Sequence, residues 1–89
     1  MEVIKIKQTC SAFPSQWEGK LKDGRMFTCH YRWETLTIDI SKQPTNDIYK
    51  NMEENTIEIL EEELEPCDFG GLSEERLTQR MELIGFTFN

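Results

Sequence analysis

The stretch QWEGKLKDGRMFTCHYRWETLTIDI, residues 16–40, decides the fold, because one period-2 pattern runs through it across two turns. Trp17, Gly19 and Leu21 share one face, and Glu18, Lys20 and Lys22 the other. Asp23-Gly24 is a hairpin signal. A two-residue turn there would set Phe27 and Tyr31 on the lysine face. A three-residue loop, Lys22-Asp23-Gly24, sets Leu21 opposite Arg25, Gly19 opposite Phe27 and Trp17 opposite Cys29, and the apolar faces then coincide. This predicts a type I turn followed by a bulge, with Gly24 left-handed. Gly19 opposite Phe27 leaves room for the ring.

The second turn lies near Trp33-Glu34. A four-residue loop, Arg32 to Thr35, pairs Tyr31 with Leu36, Cys29 with Ile38 and Phe27 with Ile40. Residues 35–40 alternate cleanly and are rich in β-branched side chains, which suit a half-buried pleated surface. The middle of the chain therefore reads as a three-stranded meander with one apolar and one polar face.

Outward from this centre, Val3 to Thr9 reads as a strand, with Val3, Lys5 and Lys7 on one face and Ile4, Ile6 and Gln8 on the other. Pro14, in the segment 11–15, breaks it, because proline removes a ladder donor. Residues 41–47 form a loop. Residues 48–65 carry two patterns. Ile57, Leu60 and Leu64 fit a helix, while residues 56–59 alternate as a strand. The reading favours a short fourth strand near 56–60 followed by an acidic turn, with a helix as the rival. Residues 66–71 form a turn. Ser73 is a helix N-cap candidate, Glu74 and Glu75 suit the first turn, and Leu77, Met81 and Ile84 make an apolar stripe. Gly85 is the expected stop, with Phe86 and Phe88 returning to the sheet as a tail or edge strand. The expected fold is α+β: an antiparallel meander of three to five strands with one C-terminal helix on a face, in a single domain spanning 1–89.

Composition narrows the function. A chain of 89 residues buries only about 60–65% of its unfolded surface, which argues against a deep internal active site. No apolar run approaches the ~18 residues needed to span a bilayer. The opening residues read as strand rather than signal peptide, so a cytoplasmic, membrane-free protein is expected. Three cysteines, Cys10, Cys29 and Cys67, fit reduced thiols. With His30 they would make a Cys₃His set, but none has the short spacing of a zinc site, and no metal or cofactor is expected. Residues 1–50 hold eight Lys/Arg against six acids, a charge of +2; residues 51–89 hold two against eleven, a charge of −9. The net −7 repels phosphate backbones and speaks against direct nucleic-acid binding.

Several residues are candidates for binding. Trp17, Phe27 and Tyr31 read as core. Trp33, between Arg32 and Glu34 at the turn, either folds over the sheet edge or meets a partner, since contact hot spots favour Trp, Tyr and Arg. On the polar face, Thr28 lies opposite Asp39 and His30 opposite Thr37. Arg25, His30 and Arg32, with Trp17 or Trp33 as a stacking surface, would form a seat for an anion or nucleotide. Catalysis by His30 would need a nucleophile and an orienting carboxylate, and Cys29, next in sequence, points to the opposite face of a strand. Glu61, Glu62, Glu63 and Glu65 form an acidic surface that solvates the chain, mimics nucleic-acid charge, or meets the basic hairpin of a second copy in a homo-oligomer.

The motifs PSQWEG (14–19), DGR (23–25) and YRW (31–33) resemble a short pattern in small uncharacterised bacterial and phage proteins. In that pattern a glycine follows the tryptophan; here Glu34 stands in its place. The resemblance implies that Trp17, Gly19, Asp23, Gly24, Arg25, Tyr31, Arg32 and Trp33 act as a group, as a folding unit or a ligand seat, and implies no activity. The expected function is a small, acidic, non-enzymatic module that binds another protein, such as a phage- or bacterium-encoded inhibitor. The alternative is an oligomeric binder of a small anionic, nucleotide-like signal, seated on the central hairpin.

Overall fold

The computed structural model describes residues 1–11, 15–50, 52–65 and 71–88. Among these, the order is β1 (Glu2–Ser11), β2 (Ser15–Leu21), β3 (Met26–Arg32), β4 (Thr35–Ser41), α1 (Met52–Asn55), β5 (Thr56–Glu63), α2 (Glu74–Leu83) and β6 (Thr87–Phe88). The strands form one sheet in the order β5-β4-β3-β2-β1-β6, curled into a half-barrel. The fold is α+β, as the alternation indicates. The described residues hold six strands, where three to five were expected, and a four-residue α1 besides the C-terminal helix. The sixth strand is the tail: Thr87 and Phe88 pair parallel to Glu2 and Val3. The break at Pro14, most of the turn at 66–71 and Cys67 lie outside the described residues.

The central hairpin has the expected register. Trp17 pairs with Cys29 and Gly19 with Phe27. The Leu21 N–H donates to the Arg25 carbonyl (2.8 Å) and the Gly24 N–H to the Leu21 carbonyl (3.0 Å), with Gly24 at φ 92°. A Cβ on Gly19 would overlap the Phe27 ring and the Lys5 carbonyl, which explains the glycine. Between β3 and β4, Tyr31 pairs with Leu36, Cys29 with Ile38 and Phe27 with Ile40. The connection is tighter than the expected four-residue loop. Arg32 already pairs with Thr35, so only Trp33 and Glu34 form the turn, at φ 54° and 60°.

Two readings change. In β1, a register shift falls between Val3, opposite Leu21, and Lys5, opposite Lys20. The extra residue reverses the phase: Val3 and Ile6 both pack on the core, while Lys5 and Lys7 are exposed. In β5, the strand does not end in an acidic turn at 60 but runs through Glu61-Glu62-Glu63. Pairing with β4 overrides the helical preference of glutamate. The charges suit an edge strand, because they discourage pairing with another chain. Glu62, on the core side, meets Arg80 of α2 at 3.1 Å.

α2 starts where its cap predicts. The Ser73 Oγ accepts from the Arg76 N–H (3.2 Å). It ends in a Schellman motif: the Gly85 N–H donates to the Glu82 carbonyl and the Phe86 N–H to the Met81 carbonyl, with Gly85 at φ 107°. That turn sends Phe86 into the core, edge-on to Phe27 at 5.6 Å between centroids. Leu77 and Met81 close the core face of the sheet. The opposite face is crossed by the segment 42–50, here called the strap. The Thr45 N–H donates to the Gly24 carbonyl (3.1 Å), the Lys20 Nζ donates to Asn46 Oδ1 (2.7 Å), and Ile48 is fully buried.

Candidate functional site

The residues singled out in the sequence do not converge on one place. Trp17 is 1% exposed and lies in the core, on the opposite face from His30. It is no stacking surface, and its indole N–H has no acceptor among the described residues. Arg25 sits at the β2–β3 turn and Arg32 and Trp33 at the other end of β3, roughly 23 Å away at about 3.3 Å per residue. Arg25 is already engaged: its Nε donates to Asp23 Oδ2 (2.8 Å) and its backbone N–H to Oδ1 (3.0 Å). The Arg25 backbone bond is the main cause that lowers the Asp23 carboxyl below its usual range. The expected seat of Arg25, His30, Arg32 and a tryptophan is therefore not assembled.

The hairpin tip is a site of its own. Trp33 is 83% exposed, and the Arg32 Cζ lies 5.4 Å from its ring centroid, within cation–π range. Its turn requires φ > 0 at both central positions, a role that Asn-Gly or Gly-Gly fills without strain. A bulky residue there is an outlier. The turn is held from below. The Leu64 N–H donates to the Glu34 carbonyl (2.9 Å), and the Tyr31 hydroxyl donates to the Leu64 carbonyl (2.6 Å).

The acidic residues divide. Glu61 and Glu63 lie on the outer face of β5, opposite Thr37 and Thr35. Glu62 is bound to Arg80 on the other face, and Glu65 is exposed beyond the strand. The expected four-residue surface thus reduces to Glu61, Glu63 and Glu65, joined by Glu58 on the outer side of β5.

Sequence reasoning missed two clefts beside the strap. One, of about 220 Å³, is lined by Gln16, Thr28, His30, Thr37, Asp39 and Tyr49, with the Trp17 and Cys29 backbone behind. Burial raises the Asp39 carboxyl above its usual range, and the charge of His30 partly opposes this. The second, of about 280 Å³, is lined by Lys5, Lys7, Lys20, Glu18, Met26 and Asn46. Tyr49 and Glu18 stand between the two, and burial with the charge and hydrogen bond of Glu18 raises the phenol. Alternation alone could have put Lys20 with Glu18. Bringing Lys5 and Lys7 beside them needed the β1 bulge.

Cys29 and His30 face opposite sides, and burial, with the Asp39 charge, pushes the Cys29 thiol up. Among the described residues no three His, Cys, Asp or Glu side chains are grouped as metal ligands, and no helix is long and apolar enough to cross a membrane. No protein-family model, curated protein or solved structure matches the chain.

Proposed function

We propose that this chain is a small interaction module that engages another protein through the tip Arg32-Trp33-Glu34. The observation that carries the reading is Trp33, a large apolar side chain 83% in solvent on a left-handed backbone. The indole contributes to the fold only about as much as an exposed cation–π contact does, and left-handed backbone on ordinary residues concentrates where function retains it. An Arg–Trp pair is the composition that dominates contact hot spots. Glu61, Glu63 and Glu65 at the neighbouring end of β5 add a negative rim, which steers encounter and selects a partner with a positive patch. The nucleotide-like alternative on the hairpin itself has less support, since Arg25 is spent on Asp23 at the far end of β3.

The test uses purified chain and Trp33→Ala as paired baits. A stoichiometric partner retained by the first and lost by the second supports the reading, provided the two purified proteins rebind. A partner held equally by both refutes it. Trp33 also supplies a direct signal: its fluorescence should shift to the blue and lose access to acrylamide on binding, while Trp17, already buried, stays silent.

A further inference from the structure

The outer face of the sheet carries two unlike clefts side by side. Gln16, Glu18 and Lys20 point the same way along β2, spaced about 6.6 Å apart. The Gln16 end opens to hydroxyls, an imidazole, a carboxylate and the Tyr49 ring. The Lys20 end is lined by three ammonium groups, with Glu18, Met26 and Asn46 beside them. Lys5 and Lys20 are direct cross-strand partners, a like-charge pairing that destabilises a sheet. Lys7 lies opposite Glu18, but no carboxylate among the described residues comes within ion-pair distance of Lys5, Lys7 or Lys20. Glu18 is the one carboxylate among the residues lining this cleft, against three lysines. In a chain of net charge −7, three lysines gathered around one concavity are a local reversal of sign. Lys20 holds the strap through Asn46, but the mutual repulsion of the three ammonium groups is left for an anion placed there to relieve.

We infer that this face binds a nucleoside phosphate, with Lys5, Lys7 and Lys20 around the phosphates and Gln16, Thr28, His30, Thr37 and Asp39 around the base, beside the Tyr49 ring. Each cleft alone, at about 220 and 280 Å³, is smaller than the about 300–1,000 Å³ usual for small ligands, so the ligand spans both, base in one and phosphates in the other. Donors and acceptors in the first cleft suit the edge of a heterocycle, and three point charges suit a diphosphate without demanding one fixed geometry. The site lies on the strap face and uses none of the tip residues 32–34, so it stands apart from the protein-binding reading.

Calorimetric titration with ADP, GDP, CDP and UDP, and with pyrophosphate alone, tests this at low and moderate salt. At least one nucleotide should bind with Kd below about 1 mM, and about tenfold tighter than pyrophosphate. Lys5→Gln combined with Lys7→Gln should weaken it about tenfold. Both side chains are exposed, so the variant keeps its fold, and an unchanged melting curve verifies this. Thr37→Val should weaken the nucleotide and leave pyrophosphate as it was. In amide NMR spectra the shifts should map to residues 5, 7, 16–20, 28–30, 37–39 and 46–49 and spare 32–34. Four silent nucleotides, equal affinity for pyrophosphate, or binding untouched by the lysine substitutions would each overturn the inference.

Discussion

Replacing Trp33-Glu34 by Asn-Gly, the pair that fits a turn with φ > 0 at both positions, should make the protein more stable. The two residues sit at φ 54° and 60°. Left-handed backbone costs about 1–2 kcal/mol for each ordinary residue. Trp33→Asn with Glu34→Gly removes most of that penalty. Glycine gives back about 0.5–1 kcal/mol through the freedom it adds to the unfolded chain. Losing the Arg32 contact to the exposed ring gives back another ~0.5–1 kcal/mol. Nothing buried is lost, because Trp33 is in solvent. The net gain is about 1–2 kcal/mol. An 89-residue chain unfolds with an entropy of about 0.19 kcal/mol/K, so Tm should rise by about 5–10 °C. Calorimetry and urea titration read it, with the urea midpoint moving up at unchanged slope. The same variant should lose the partner held by Trp33, which would show stability given up for function at the tip. An unchanged or lower Tm would refute the strain argument, and with it the reason for singling out this turn.

Gly19→Ala should act in the opposite direction, since its methyl meets a backbone carbonyl and a fully buried ring fixed against Phe86. Overpacking of this kind costs about 3 kcal/mol, so Tm should fall by more than about 10 °C; a fall within 3 °C would mean the sheet opens there at little cost. Tyr31→Phe removes the hydroxyl that holds Leu64 and leaves that carbonyl short of a partner, and should cost about 1–3 kcal/mol in chemical denaturation. Asp39 has a raised carboxyl pKa, so the folded state holds its proton more tightly than the unfolded one. Its contribution to stability is present below the ordinary carboxyl range and is lost as pH rises through the raised value. Asp39→Asn should flatten that part of the stability-against-pH curve, and an identical curve would contradict the assignment. Cys29, buried and with a raised thiol, should resist maleimide in the native protein while half-buried Cys10 reacts, as peptide mapping can read.

How far the sequence could be read depended on whether a signal was local. The three central strands and their registers were legible because side chains in a strand alternate strictly, and only one loop length at Gly24 brought the apolar faces of 17–21, 27–31 and 36–40 together. The α2 boundaries were legible for the same reason, since Ser73 and Gly85 act within a turn of their own positions. Beyond residue 60 the acidic run reads as a turn, because glutamate has no strand preference of its own. What made 61–63 a strand was the open edge of β4 and the Arg80 guanidinium.

The candidate site divides along the same line. From its sequence alone, this chain was bound to form a bulged hairpin, a meander with one apolar face and a capped C-terminal helix, because each follows from contacts between near neighbours. Tertiary structure alone decided which charges met. It brought Glu62 of β5 to Arg80 of α2 and Lys20 of β2 to Asn46 of the strap. It shifted the phase of β1 by one residue, so that Lys5 and Lys7 joined Lys20, and laid the strap over the outer face with Tyr49 between two clefts. Encounters between distant segments depend on strand bulges and chain crossings, whose energies come from the whole packed sheet and are written in no single stretch of residues.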